Sequence, residues 1–244
     1  CNACIQRHRN LIPDKVRNRA SIFTGCWLFC YIDLPPMNLV IVGSSDNKEK
    51  ELCQEVCEAS HRFHIEGIDR VVHVTLPFCN TLGIAIRSAI DHGVSDDFIL
   101  TTETTFVTSE YDITKAYRRS RFIQRKGESI DRMVNSIGYL LQNGQTSFDY
   151  EIDIPILVNR EKALEVLDIK GQYHFRTMYG NMVHGGDSER IEDVLIDPWI
   201  HSIDPEGPIV SVGPTALKHS QCTKWIRKLH SQCQSTRQTL PAQP

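Results

Sequence analysis

The sequence predicts an α/β fold: a mostly parallel, doubly wound sheet flanked by helices in a single domain. Two patterns point to it. Short β-branched runs, too brief for helices, alternate with longer segments whose apolar residues recur at three and four. That alternation is the signature of crossover-connected parallel strands. Residues 38–43 (Asn-Leu-Val-Ile-Val-Gly) read as a buried strand entering a loop at Gly43. Residues 48–60 follow as a helix with Leu52, Cys53 and Val56 near one face, and residues 71–74 as a second strand. Residues 81–92 carry Leu82, Ile86, Ala89 and Ile90 at helical spacing, and Gly93 supplies the stop. Residues 97–100 form a third strand that runs into Thr101-Thr102-Glu103-Thr104-Thr105-Phe106. Ligands of such sheets lie beyond the carboxyl ends of strands, so residues 43–46 and 101–104 are the candidate site loops. Three more helices are predicted at 129–142, 159–168 and 216–230.

With 244 residues, 41% of them hydrophobic and 23% charged, the chain can bury a real core. Its net charge of -3 gives no global attraction to nucleic acid or an anionic membrane, so either would need a local basic patch. The cluster Arg118, Arg119, Arg121, Arg125 and Lys126 is one such patch, against the reading of a solvated helix face. No apolar run has the roughly 18 residues a membrane span requires. Residues 20–32 loosely mimic a secretory core, but Asp33 and Pro35-Pro36 follow instead of a small-residue cleavage site. Nine scattered cysteines, an odd number, fit a reducing, cytoplasmic setting. Cys1-x-x-Cys4 has zinc-like spacing with no second pair to answer it, while Cys53 and Cys57, one turn apart, suit packing as well as ligation. Residues 1–36 read as an N-terminal extension, 37–233 as the domain and 234–244 as a polar tail.

Several short matches, in consistent order, resemble the Stealth-type sugar-phosphate transferases and related phage glycosyltransferases. They are Leu34-Pro35-Pro36 before Val40-Ile41-Val42-Gly43, Asn80 at the opening of a helix, and Ser95-Asp96-Asp97-Phe98-Ile99-Leu100. Tyr150-Glu151-Ile152-Asp153-Ile154-Pro155, Arg176-Thr177-Met178-Tyr179-Gly180-Asn181 and Gly207-Pro208-Ile209-Val210-Ser211 follow. The resemblance implies a GT-A-like nucleotide-sugar fold, a nucleotide-sugar donor, a hydroxyl acceptor such as a glycan, and a divalent cation, Mg2+ or Mn2+. The chain departs from the family where its acidic motif should stand: Thr102-Glu103-Thr104 leaves Glu103 as the lone carboxylate. Asp153 replaces a histidine, and no aspartate follows Ser211 closely.

A metal at a strand end neutralises the charge that develops on a departing diphosphate, and carboxylates are its natural ligands. Glu103 and Asp153 are therefore the expected metal ligands and, with His184, the expected catalytic residues. His184 would serve as general base toward an acceptor hydroxyl. Arg176 either clamps phosphate through its planar fork or pairs with Glu151 or Asp153. Gly43 and Asp46 would cradle the nucleotide, Asn80 would join them, and Asn181 would meet a sugar hydroxyl, with Gly180 granting the turn a positive φ. The alternative is a degenerate relative that binds a nucleotide sugar or a protein without turnover. Nucleic acid, resting on the basic cluster alone, is the remaining partner class.

Overall fold

The computed structural model describes residues 35–43, 48–75, 82–119, 128–191, 194–196 and 207–239. Residues 1–34, Asp46, Asn80 and the cluster beyond Arg119 lie outside them, as do the cysteines at 1, 4, 26 and 30. In order come β1 (Met37–Gly43), α1 (Lys48–His64), β2 (Ile68–Thr75), α2 (Leu82–Asp91), β3 (Asp97–Thr102) and β4 (Thr105–Val107). Next are β5 (Tyr117–Arg119), α3 (Glu128–Gln142), β6 (Ile156–Asn159), α4 (Arg160–Leu167) and α5 (Phe175–Tyr179), which runs into a π-helical turn at Gly180–His184. The rest is β7 (Glu189–Ile191), β8 (Val194–Ile196), β9 (Ile209–Val212), α6 (Pro214–Leu217) and α7 (Ser220–Thr239).

The main sheet has the order β2-β1-β3-β6. β1 pairs in parallel with both β2 and β3, and β6 closes the edge antiparallel to β3. Successive residues of β1 and β3 go to opposite cores, as the strand period of two requires. Leu39, Ile41 and Ile99 pack with α1, α7 and the small sheet β4-β9-β8, whereas Val40, Phe98 and Leu100 pack with α2, α4 and α5. A sheet buried on both faces needs continuous apolar strands, and this is what the sequence shows. The fold is thus the expected α/β, mostly parallel arrangement.

Sequence chemistry sets the helix limits. On α1 the buried Cys53, Val56, Cys57, Ser60 and His61 recur at one-turn spacing, and Gly67 at φ 79° reverses the chain beyond the helix. Asn159 caps α4 by accepting from the Lys162 N–H, and Gly93 at φ 72° ends the turn after α2 as expected. Cys53 and Cys57 are packing residues: both are fully buried on α1, which packs against α7, where Cys222 and Cys233 are also buried. Two expectations need correction. Residues 117–119 form a strand paired with β7, because Arg119 is buried with its N–H donating to the Asp149 carbonyl. Arg118 lays its guanidinium 3.8 Å above the Phe148 ring. The last helix also continues to Thr239, past the expected start of a tail at 234. Among the described residues no helix is long and apolar enough to cross a membrane.

His61 is wholly buried; Nδ1 lies 2.7 Å from the Cys57 carbonyl, and Nε2 has no hydrogen-bond partner among the described residues. Burial drives its pKa down from 6.5 to about 4. The unfolded chain therefore binds a proton first as the pH falls. Stability is full above 6.5 and declines between 6.5 and 4, by on the order of 3 kcal/mol from this group. Urea unfolding of wild type and His61→Gln, compared at neutral pH and near the lower value, should show the smaller acid loss in the variant. Equal losses in both proteins would remove His61 as the cause.

Candidate functional site

The chain moves from β1 out to β2 and then back across β1 to β3, so strand order reverses between β1 and β3. The crevice at their carboxyl ends is where open α/β sheets receive ligands. Gly43 ends β1 there, and Glu103 opens the tight turn from β3 into β4. The Glu103 N–H donates to the Val42 carbonyl at 3.0 Å, and its Oε2 accepts from Gln54 Nε2 of α1 at 3.2 Å. A Cβ on residue 43 would stand only 2.0 Å from that oxygen, so the close approach of the carboxylate requires glycine. Glu103 is 5% exposed. Beside it, the Cys57 thiol donates to the Thr102 carbonyl. Burial first, then neighbouring Cys53 and Glu103, push the Cys57 pKa well up, so it is a thiol and not a nucleophilic thiolate.

β6 runs antiparallel to β3 with Ile156 opposite Leu100. Asp153, three residues before Ile156, therefore belongs to the same end of the sheet as Glu103. Arg176, from α5, is buried there and donates through Nη1 to the Ile154 carbonyl at 2.7 Å. Burial lowers the Arg176 pKa, with Asp153 and Tyr111 acting against the shift. The observed partner of the Arg176 guanidinium is the Ile154 carbonyl, which neither sequence reading of this residue anticipated. Arg176 also lines a narrow cleft with Lys115, Tyr117, Tyr150, Tyr179 and His184, whose volume of about 20 Å³ has room for about one water. His184 meets the Tyr179 ring edge-on at 5.8 Å between centroids, and burial lowers its pKa below the usual 6.5. The Tyr179 hydroxyl accepts from the Asn159 N–H, and burial raises it to about 12. A wider groove between α2, α3 and α4 is lined by none of the expected site residues.

Two expectations are revised by these contacts. Asn181 is 3% exposed, and its amide is fully used. Oδ1 accepts from Thr146 Oγ1 and the Phe148 N–H, while Nδ2 donates to the carbonyls of Phe148 and Thr177. With two donors and two acceptor sites taken, no capacity remains for a sugar hydroxyl. Gly180 has φ -57°, within a continuous helical path, so positive φ is not its purpose. Its bare Cα lets the Tyr150 ring lie where a Cβ would be 2.3 Å away. Glu103 is hydrogen-bonded to the Gln54 amide, and the Asp153 charge favours the charged form of Arg176. Among the described residues no group of three His, Cys, Asp or Glu side chains could hold a metal.

The cleft contains residues the sequence did not single out. Lys115 and Tyr117 precede the basic cluster, and Tyr117 packs near Tyr111 at 5.2 Å between rings. Gln54 lies one turn before Cys57 on α1, and only the fold reveals that it faces Glu103.

No protein-family model matches the chain, and no curated protein matches it. Among solved structures, a galactosyltransferase, LgtC, in complex with donor and acceptor sugar analogs is similar at 11% identity and a TM-score of 0.40. That match covers 84% of this chain and 98% of LgtC. A glycosyltransferase involved in glycosylation of the major capsid of PBCV-1 is similar at 9% identity and a TM-score of 0.41, over 79% of this chain and 100% of that one.

The Asn181 network makes a clear prediction. Asn181→Ala should destabilise the fold by about 2–4 kcal/mol, because buried partners in the 146–148 loop are left unsatisfied. Denaturant unfolding measures this. A variant that unfolds like wild type but loses ligand affinity would restore Asn181 to a binding role.

Proposed function

We propose that the domain holds a nucleotide-activated sugar at the β1/β3 crevice and transfers the sugar, or its 1-phosphate, to a hydroxyl acceptor, within a GT-A-like, Stealth-type framework. The observation that carries this reading is the Glu103 carboxylate drawn against Gly43 where strand order reverses. There it would accept a hydrogen bond from a donor hydroxyl. Arg176 and Lys115, both on the cleft, supply positive charge toward the departing phosphate. A divalent cation would neutralise that charge in the family resembled, but the residues described do not provide its ligands, so no step here runs through one. His184, neutral near pH 7 because burial depresses its pKa, would accept the proton from the acceptor hydroxyl as oxygen attacks. The bond to the leaving nucleotide breaks with its electron pair passing to phosphate oxygen. Asp46 and Asn80, outside the described residues, take no part in this derivation.

A second reading, binding without turnover, is favoured by one specific feature. Arg176 is already committed to the Ile154 carbonyl. Calorimetry with UDP-sugars, with and without Mn2+, separates the two when run beside a donor-hydrolysis assay. Saturable binding with neither hydrolysis nor transfer would select the binding protein.

Glu103→Gln preserves the shape against Gly43 and removes the charge. Its donor hydrolysis should fall by about 10²-fold or more with the melting temperature nearly unchanged; undiminished hydrolysis would sink the assignment. His184→Ala should lower turnover by about 10²–10⁴-fold. The wild-type rate should fall as the pH drops through the depressed His184 value, as the imidazole becomes protonated. A wild-type profile flat through that range would exclude His184 as the base.

A further inference from the structure

From Gly207 to the end of the sequence there is no aspartate or glutamate, while Lys218, Lys224, Arg227, Lys228 and Arg237 give this stretch a charge of +5. The whole chain carries -3, so the preceding residues carry -8. The fold gathers three of these five charges on one side of α7. Cys222, Ile226, Leu229 and Cys233 are its buried stripe, packed in the core shared with α1. Lys224, Arg227 and Lys228 are exposed and fall on an arc about 100° wide, centred opposite that stripe at 3.6 residues per turn. Lys218 is exposed just before the helix. None of the four forms a salt bridge among the described residues, unlike Arg62, Arg87, Lys115 and Lys162, which all do.

We propose that this outer face of α7 docks on an anionic lipid surface. The charge asymmetry argues for a broad sheet of negative charge: it turns α7 inward while the acidic remainder is repelled. The exposed positions between Ser220 and Ser235 are polar or basic, so the contact is electrostatic and peripheral, without inserted side chains. This surface is independent of the transfer reading and would stand if the domain only binds its ligand.

The test is co-sedimentation of the full chain with phosphatidylcholine vesicles, with and without phosphatidylserine. Binding is expected only with phosphatidylserine and should weaken at least tenfold between about 0.05 and about 0.5 M salt. The combined variant Lys224→Glu, Arg227→Glu and Lys228→Glu should abolish it while the melting temperature stays unchanged. The proposal is overturned by no binding to the phosphatidylserine vesicles, by equal binding to neutral vesicles, or by undiminished binding of the variant. Tighter capture by duplex DNA than by the anionic vesicles would overturn it equally, assigning the face to nucleic acid.

Discussion

The molecule is organised around the place where a carboxylate occupies the space of a missing side chain. Glu103 reaches across the carboxyl end of β1 and sits where any Cβ on residue 43 would be. That single contact ties three elements together. β3 presents Glu103, β1 ends in glycine to receive it, and α1 turns Gln54 and Cys57 toward the same point. A buried carboxyl group needs hydrogen-bond partners in place, and Gln54 supplies one of them.

On the far side of β3 the same economy of space is achieved with a cation. The buried Arg176 holds the carbonyl of Ile154 just before β6, with Asp153 nearby to offset its charge. Asn181 fastens the 146–148 loop to the same helical segment, and the Tyr150 ring rests on Gly180. The cleft lies among these contacts. Its walls are set by a polar network anchored on an apolar sheet, so the shape of the site and the stability of the fold depend on many of the same residues.

The sheet was legible in the sequence because its strands are buried on both faces, which writes an uninterrupted β-branched run into the chain. The helices at 82–91 and 160–167 were legible because their caps and apolar spacing agree. β6 was hidden: Ile156-Leu157-Val158-Asn159 leads directly into a helix, and periodicity alone cannot divide so short a run. Glu103, Arg176 and His184 stood out by residue type and order. Their neighbours could not, because Gln54, Lys115 and Tyr117 enter the site through tertiary placement that leaves no local pattern. Asn181 and Gly180 show the opposite limit: polar and glycine residues near a presumed site looked functional, while their work is packing and hydrogen bonding.

The π-helical turn at Gly180–His184 carries a further implication. Such a turn holds one residue more than the α-helix it interrupts. Loss of a single residue there would tighten the coil and swing everything downstream by about 100°, taking His184 off the Tyr179 ring. Segment length is therefore as strict a condition on this part of the chain as side-chain identity. Insertions and deletions should be tolerated in the exposed bend at Gly186-Asp187, and selected against one turn earlier.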